Sequence, residues 1–331
     1  MAFRSRFAGP FLAASWLLFG LPPAAAGPRV VLISVDGLRP DAITPDVAPA
    51  LTTLRDGGIA ATAFNDLPSA TLPNHASMLT GLVGDVHGLV ANFDLPGKIR
   101  FPTLFDFAAA SSLRSAFFAS KSKLRYLAPD RALEVLEITG ELEPLAESVV
   151  NVLRPDGPDL VFVHLREPDS TGHAHGWMSP EYLGAVARSD QQIARIVAAA
   201  RADTTRDTYF LVTADHGGEG LNHFLNLNVN REIPWIVHGP GIAAGVRLEG
   251  AVSIVDTTPT VLWLLGGAIP DGLSGVARTQ VRDSTASNPA PARLAPVGIP
   301  CLLLAAPPLV VVGGASAWWA AACRPARRSL R

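Results

Sequence analysis

Residues 212–223 read VTADHGGEGLNH. An acid, Asp215, and an imidazole, His216, stand side by side at the end of an apolar run, and a second imidazole, His223, follows seven residues later. Carboxylate and imidazole are ordinary ligands for zinc. Two more apolar runs end in residues of the same kind. RVVLISV (29–35) leads into Asp36, and VFVHL (161–165) leads into REPDSTGHAHG, which carries Asp169 and His173. A single Asp at a strand end reads as easily as a helix N-cap, but three strands ending this way in one chain point to ligation. Asp169 and His173 are four apart, which puts both on one side of a helical turn, and the Gly172 between them permits close backbone approach. His175 lacks a partner at the right spacing and reads as rim or surface. His164, inside a strand, reads as a structural hydrogen-bonding residue.

Such a set needs a nucleophile. NDLPSATLPNHASMLTG (65–81) is polar and proline-punctuated before it turns helical, and Thr71 stands at that turn. A helix N-terminus offers free backbone N–H groups and favours an anion. Thr71 taken alone reads as a plain N-cap; beside Asp36 and Asp215-His216, a metal could strip its proton.

The elements that must position these residues alternate between strand and helix. SAFFAS (115–120), LEVLEIT (133–139), DLVFVHL (159–165), TYFLVTADHGG (208–218) and IPWIVHGPG (233–241) join 29–37 as strands. SPEYLGAVARSDQQIARIVAAARA (179–202) reads as a helix with Ser179 as N-cap, Pro180 in the first turn, and Tyr182, Val186, Ile193 and Val197 near one face. DTTPTVLWLLGG (256–267) reads as another, closed by glycine. Continuous apolar strands alternating with helices predict a three-layer αβα sandwich around a mostly parallel sheet, and in such sheets ligands sit beyond the carboxyl ends of the strands.

The 331-residue chain carries a net charge of -2, which argues against a nucleic-acid partner held through a basic face. Only 17% of residues are charged, and the two termini account for much of this. Residues 1–26 read as a secretory signal: Arg4 and Arg6, an apolar stretch from Phe11 to Leu21, then Ala24 to Ala26. A catalytic domain is expected over 27–283 and a linker over 284–296. An apolar segment at 297–323 is long enough to span a bilayer, and a basic tail at 324–331 places that end in the cytoplasm. The domain is then exported, on the outer face of the cytoplasmic membrane, the periplasmic side in a bacterium. A sorting tail that is later removed is the alternative. Both cysteines, Cys301 and Cys323, lie in the apolar segment 297–323, so the domain itself carries no disulfide.

The stretches SVDGLRPD (34–41), PSATLPNHASMLTG (68–81), HGLVANFD (87–94), EPDSTGHAHG (167–176) and TADHGG (213–218) together resemble the alkaline phosphatase superfamily, and within it the type I phosphodiesterase/nucleotide pyrophosphatase family. The resemblance implies the alkaline-phosphatase-like fold and two divalent ions, normally zinc. One ion would be held by Asp36, Asp215, His216 and the Thr71 oxygen. The other would be held by Asp169, His173 and a further histidine, with Asn92 on the phosphate. It implies attack by Thr71 on phosphorus and a phospho-threonine intermediate that water hydrolyses, on a phosphorylated small molecule or lipid head group. Leu72 stands where nucleotide-cleaving members often carry phenylalanine, and no late insertion is present to supply the last histidine. His223, on a glycine-bearing loop leaving the metal-bearing strand end, is the candidate for that ligand. His238, inside an apolar strand, reads as structural. Because Asn92 is a neutral donor, diesters are expected to be preferred over monoesters, which would gain from a cation. A phosphomonoesterase, phosphonate hydrolase or head-group transferase of the same superfamily remains the alternative, with a non-catalytic metal-binding protein third.

Overall fold

The computed structural model describes residues 27–248 and 250–282. The expected signal, linker, membrane segment, basic tail and both cysteines lie outside these residues. Among the described residues, no helix is long and apolar enough to cross a membrane.

Among the described residues, nine strands form one sheet: β1 (Arg29–Val35), β2 (Ile59–Phe64), β3 (Ser115–Ala119), β4 (Val135–Ile138), β5 (Leu160–Leu165), β6 (Thr208–Thr213), β7 (Glu232–His238), β8 (Val246–Arg247) and β9 (Val252–Ser253). Their order is β4-β3-β5-β1-β6-β7-β2-β8, with β9 also on β2. Every pairing is parallel except those of β7, which runs against β6 and β2. The six runs expected as strands all become strands. β2 was not foreseen, because IAATAF is alanine-rich and carries little of the β-branched and aromatic content that marks a strand. The reversal of β7 makes the sheet mixed.

The helices are α1 (Pro49–Asp56), α2 (Thr71–Thr80), α3 (Gly84–His87), α4 (Leu104–Ala110), α5 (Leu142–Val152), α6 (Glu167–His175), α7 (Pro180–Ala202), α8 (Asn228–Arg231) and α9 (Thr257–Leu264). Helix α7 packs on α1, α5 and α6, while α9 packs on α2 and α4. Every residue of β1, β5 and β6 is buried, as strands covered on both faces must be. Ser179 caps α7 by accepting from the Tyr182 amide, and Tyr182, Val186, Ile193 and Val197 are buried, as their spacing predicts. Phe105, Phe117 and Phe162 stack α4 against β3 and β5 with ring centroids 4.8–6.2 Å apart.

The consequence for function lies in the strand order. β3, β5, β1 and β6 are consecutive and parallel, so their carboxyl ends open side by side. Whatever follows those four strands is brought to one place.

Candidate active site

Asp36 follows β1, Asp169 sits in the first turn of α6 just after β5, and Asp215 follows β6. All three carboxylates are buried. The backbone ties the ends together: Asp169 N–H donates to the Asp36 carbonyl at 3.0 Å, and Gly37 N–H donates to Asp215 Oδ1 at 3.1 Å. Gly37 adopts φ +73°, and a Cβ there would press on the Asp169 backbone, so only glycine allows the two strand ends to meet so closely.

Three buried carboxylates need positive partners. One is Lys121, just after β3. Its Nζ lies 2.6 Å from Asp36 Oδ2, 2.6 Å from Asp169 Oδ2 and 3.3 Å from Thr71 Oγ1, which uses all three of its donors. Burial alone would raise the Asp36 carboxyl, but Lys121 and the His164 hydrogen bond hold it well below the usual carboxylate range. Asp215 moves the other way, pushed well up by burial and by the charge on Asp36. Burial works against a charge on Lys121 too, and Asp36 and Asp169 override it and raise its pKa. Within this cluster, four buried atoms remain without a hydrogen-bond partner: Asp36 Oδ1, Asp169 Oδ1, Asp215 Oδ2 and His216 Nε2.

The histidines show what those atoms await. His216 Nδ1 donates to the Gly217 carbonyl (2.8 Å), His223 Nδ1 to the Ser69 carbonyl (2.7 Å) and His173 Nδ1 to the Leu221 carbonyl (2.9 Å). A carbonyl can only accept, so each Nδ1 carries the proton and each Nε2 presents a lone pair. Those lone pairs face carboxylate oxygens. His216 Nε2 is 3.4 Å from both Asp36 Oδ1 and Asp215 Oδ2; His173 Nε2 is 3.4 Å and His223 Nε2 3.7 Å from Asp169 Oδ1. Burial lowers the His216 pKa and, with His216 beside it, pushes His223 down to about 2. Lone pair against carboxylate is repulsive unless a cation lies between. Ligand atoms gather within 4.8 Å of one another in two groups, Asp36-Asp215-His216 and Asp169-His216-His223. Carbonyl-fixed tautomers are the usual outer support of metal-binding histidines, and this donor set suits divalent zinc.

The structure thus gathers Asp36, Asp169, His173, Asp215, His216 and His223. His223 is buried, its ring stacked on that of His216 with centroids 3.7 Å apart. His238 ends β7, lies within hydrogen-bonding distance of Arg201 Nη2 (3.3 Å) and belongs to neither group. His175 is exposed. His164 accepts the Ser120 N–H on Nδ1 and so donates Nε2–H to Asp36 Oδ2 at 2.9 Å, the structural role expected of it.

Thr71 is the first residue of α2, and its N-cap is Ala70, so it is not itself the cap. His75, one turn on, donates Nδ1–H to the Thr71 carbonyl and accepts the Ser34 hydroxyl on Nε2. Asn92 Oδ1 accepts the Leu72 N–H at 3.0 Å and Lys123 Nζ at 3.2 Å, leaving the Asn92 amide nitrogen as a free donor. Leu72 is fully buried in the core and offers no surface for a base to stack on. Gly217 and Gly218 fit a tight space: a Cβ would overlap the Val229 carbonyl at one and the Trp177 indole at the other, and neither φ is positive. Gly172 likewise makes room for the Trp177 indole and not for backbone.

Lys121 and His75 were missed from the sequence. Lys121 follows SAFFAS as Asp36 follows its own strand, so a search of strand ends for cations as well as ligands would have found it.

A profile of the family described as type I phosphodiesterase / nucleotide pyrophosphatase matches residues 30–106 and 95–247, more than half of the chain. Human ectonucleotide pyrophosphatase/phosphodiesterase family member 1 is 25% identical over 231 residues. That match takes in 60% of this chain but 24% of the relative, so the chain spans about a quarter of that protein's length. Among solved structures, murine ectonucleotide pyrophosphatase/phosphodiesterase 5, an inactive threonine-to-alanine variant in complex with AMP, superposes with a TM-score of 0.62 at 16% identity, covering 74% of this chain and 97% of that one. The phosphonate monoester hydrolase of Agrobacterium radiobacter gives 0.62 at 17% identity, with 77% of each chain covered. Both likenesses speak to the fold alone. With its profile, its sheet and its gathered strand ends in agreement, the chain belongs to the type I phosphodiesterase / nucleotide pyrophosphatase family.

Proposed function

We propose that the chain is a metal-dependent hydrolase cleaving phosphodiester or pyrophosphate bonds through Thr71. The observation that carries this is the set of four unpartnered buried atoms, Asp36 Oδ1, Asp169 Oδ1, Asp215 Oδ2 and His216 Nε2, around the Lys121 ammonium that also reaches Thr71. Asp36, Asp215, His216 and Thr71 would hold one divalent ion, and Asp169, His173 and His223 a second, both zinc by the chemistry of the donors. Bound there, the ions supply Lewis acidity that lowers the cost of oxygen anions at the reacting phosphorus. The chain's own groups do the rest. Thr71 Oγ1 loses its proton to solvent and bonds to phosphorus as the bond to the leaving oxygen breaks. Water then adds to the phospho-threonine, the P–Oγ1 bond breaks, and Oγ1 regains a proton. The Asn92 amide donates to a phosphoryl oxygen, Lys121 adds its positive charge beside Thr71, and the first turn of α2 adds its positive end. The exported, membrane-anchored placing rests on segments 1–26 and 297–323 alone.

Lys121 supports a second reading. Diester preference was expected because only neutral Asn92 was in view, and a cation 3.3 Å from the nucleophile removes that ground. A dianionic monoester or phosphonate would use it well. Comparing kcat/KM for a monoester and a diester with one leaving group decides between the two. For the common core of both readings, Thr71→Ala should lower turnover of bis(p-nitrophenyl) phosphate by at least about 10³-fold while bound metal stays near the wild-type level. A near-normal rate would mean that water attacks phosphorus directly.

A further inference from the structure

Eleven large apolar side chains are left exposed among the described residues, and six of them, Val90, Phe93, Leu221, Phe224, Leu225 and Leu227, come from two short segments. Both segments border the site. Asn92 Oδ1 accepts the Leu72 N–H in the first turn of α2, which brings the segment carrying Val90 and Phe93 to that side of the site. On the other side, His223 is bonded to Ser69, the Leu221 carbonyl holds His173, and the Phe224 ring lies 4.4 Å from that of His223 and 6.5 Å from that of His173. Val90 is 71% exposed, Phe93 63% and Phe224 59%. Neither 86–93 nor 220–230 contains an Asp, Glu, Lys or Arg, in a chain with 17% charged residues. Apolar surface concentrated at a site in this way marks what the site binds.

We infer that the substrate's organic arm is a long alkyl or acyl chain, and that these two segments hold it where it leaves the phosphorus. This rests on the phosphoester reading above and names the substrate class of the same site. A nucleoside fits less well. Leu72, next to Thr71, is buried and cannot stack a base. Four of the six exposed side chains are aliphatic, which offers more to an alkyl chain than to a base. The chain's neutral amides at Asn222, Asn226 and Asn228 suit the polar junction between a head group and its tail.

The test uses the full-length, zinc-supplied protein and p-nitrophenyl phosphodiesters whose second arm is methyl, butyl or octyl, each below its micelle concentration. Partial burial of the added methylenes predicts that kcat/KM rises by at least about 30-fold from methyl to octyl. In Phe93→Ser/Phe224→Ser, the octyl-to-methyl ratio should drop to about threefold or less. A flat series with the methyl ester turned over overturns the inference and leaves the hydrolase reading standing. So does a preference for p-nitrophenyl thymidine 5′-phosphate over the octyl ester. If no ester turns over, the hydrolase reading falls, and melting shifts with octylphosphonate and methylphosphonate decide the arm: a larger shift with octyl supports it, and equal shifts overturn it.

Discussion

Replacing Lys121 by methionine keeps the length of the side chain and removes its charge. In the metal-free protein this strips Asp36 and Asp169 of the ammonium that lies 2.6 Å from each. Breaking a buried ion pair costs about 3–5 kcal/mol. Two features reduce that figure here: the lysine side chain is 15% exposed, and one carboxylate of the cluster can take up a proton. About 2–4 kcal/mol remains. For a domain of this size each kcal/mol moves Tm by about 2–4 °C, so the chelated variant should melt about 5–15 °C below the chelated wild type. Zinc should reverse most of that loss and stabilise the variant more than the wild type, because the ion then neutralises carboxylates that Lys121 no longer serves. Turnover with saturating zinc should still be lower by about 10²–10³, the scale for losing a positioned donor at the reacting group. Lys123→Met is the control. Lys123 Nζ contacts Asn92 and no carboxylate, so its chelated Tm should stay close to wild type. Differential scanning calorimetry on dialysed samples, with and without zinc, reads all of this. An unchanged chelated Tm for Lys121→Met would refute the idea that its charge holds the carboxylates.

Chelation should abolish hydrolysis and zinc should restore it; full activity in metal-stripped protein would end the metal-dependent reading. His223→Ala should lose about one zinc per chain by elemental analysis while His238→Ala keeps both, since of these two histidines His223 is the one that faces Asp169. The opposite result would move the ligand to β7. Gly218→Ala should destabilise by about 1–3 kcal/mol, because its methyl group meets the Trp177 indole, whose Nε1–H is bonded to the Gly37 carbonyl. A Tm within a degree of wild type would mean that the indole moves aside at little cost.

The acids and most histidines of the site are legible in the chain because their signal is local. An apolar run of five to seven residues such as VVLISV or LVFVHL announces a buried strand, and a polar residue at its carboxyl end announces itself against that background. Asp36, Asp169, His173, Asp215 and His216 all have this form. So does the Ser179 cap of α7, which depends on residues three apart. His223 could be argued only by elimination. Its seat was decided by the carbonyl of Ser69, 154 residues away in sequence, which turns its ring toward Asp169.

Other features depend on which strands are neighbours. That order comes from pairing elements far apart in the chain, and no local pattern carries it. Lys121 matters because β3 lies beside β5 and β5 beside β1, which brings its ammonium between two acids from different strands. Asn92 became a bonding partner of α2 only once a loop twenty residues on had folded back over it. Gly217 and Gly218 look like flexible punctuation in a string of letters, but the packed Val229 carbonyl and Trp177 indole leave no room for a side chain at either position. Residue type and spacing determined which groups could bind metal. Which charges meet, and which atoms are left without a partner, was decided when the four parallel strand ends came together.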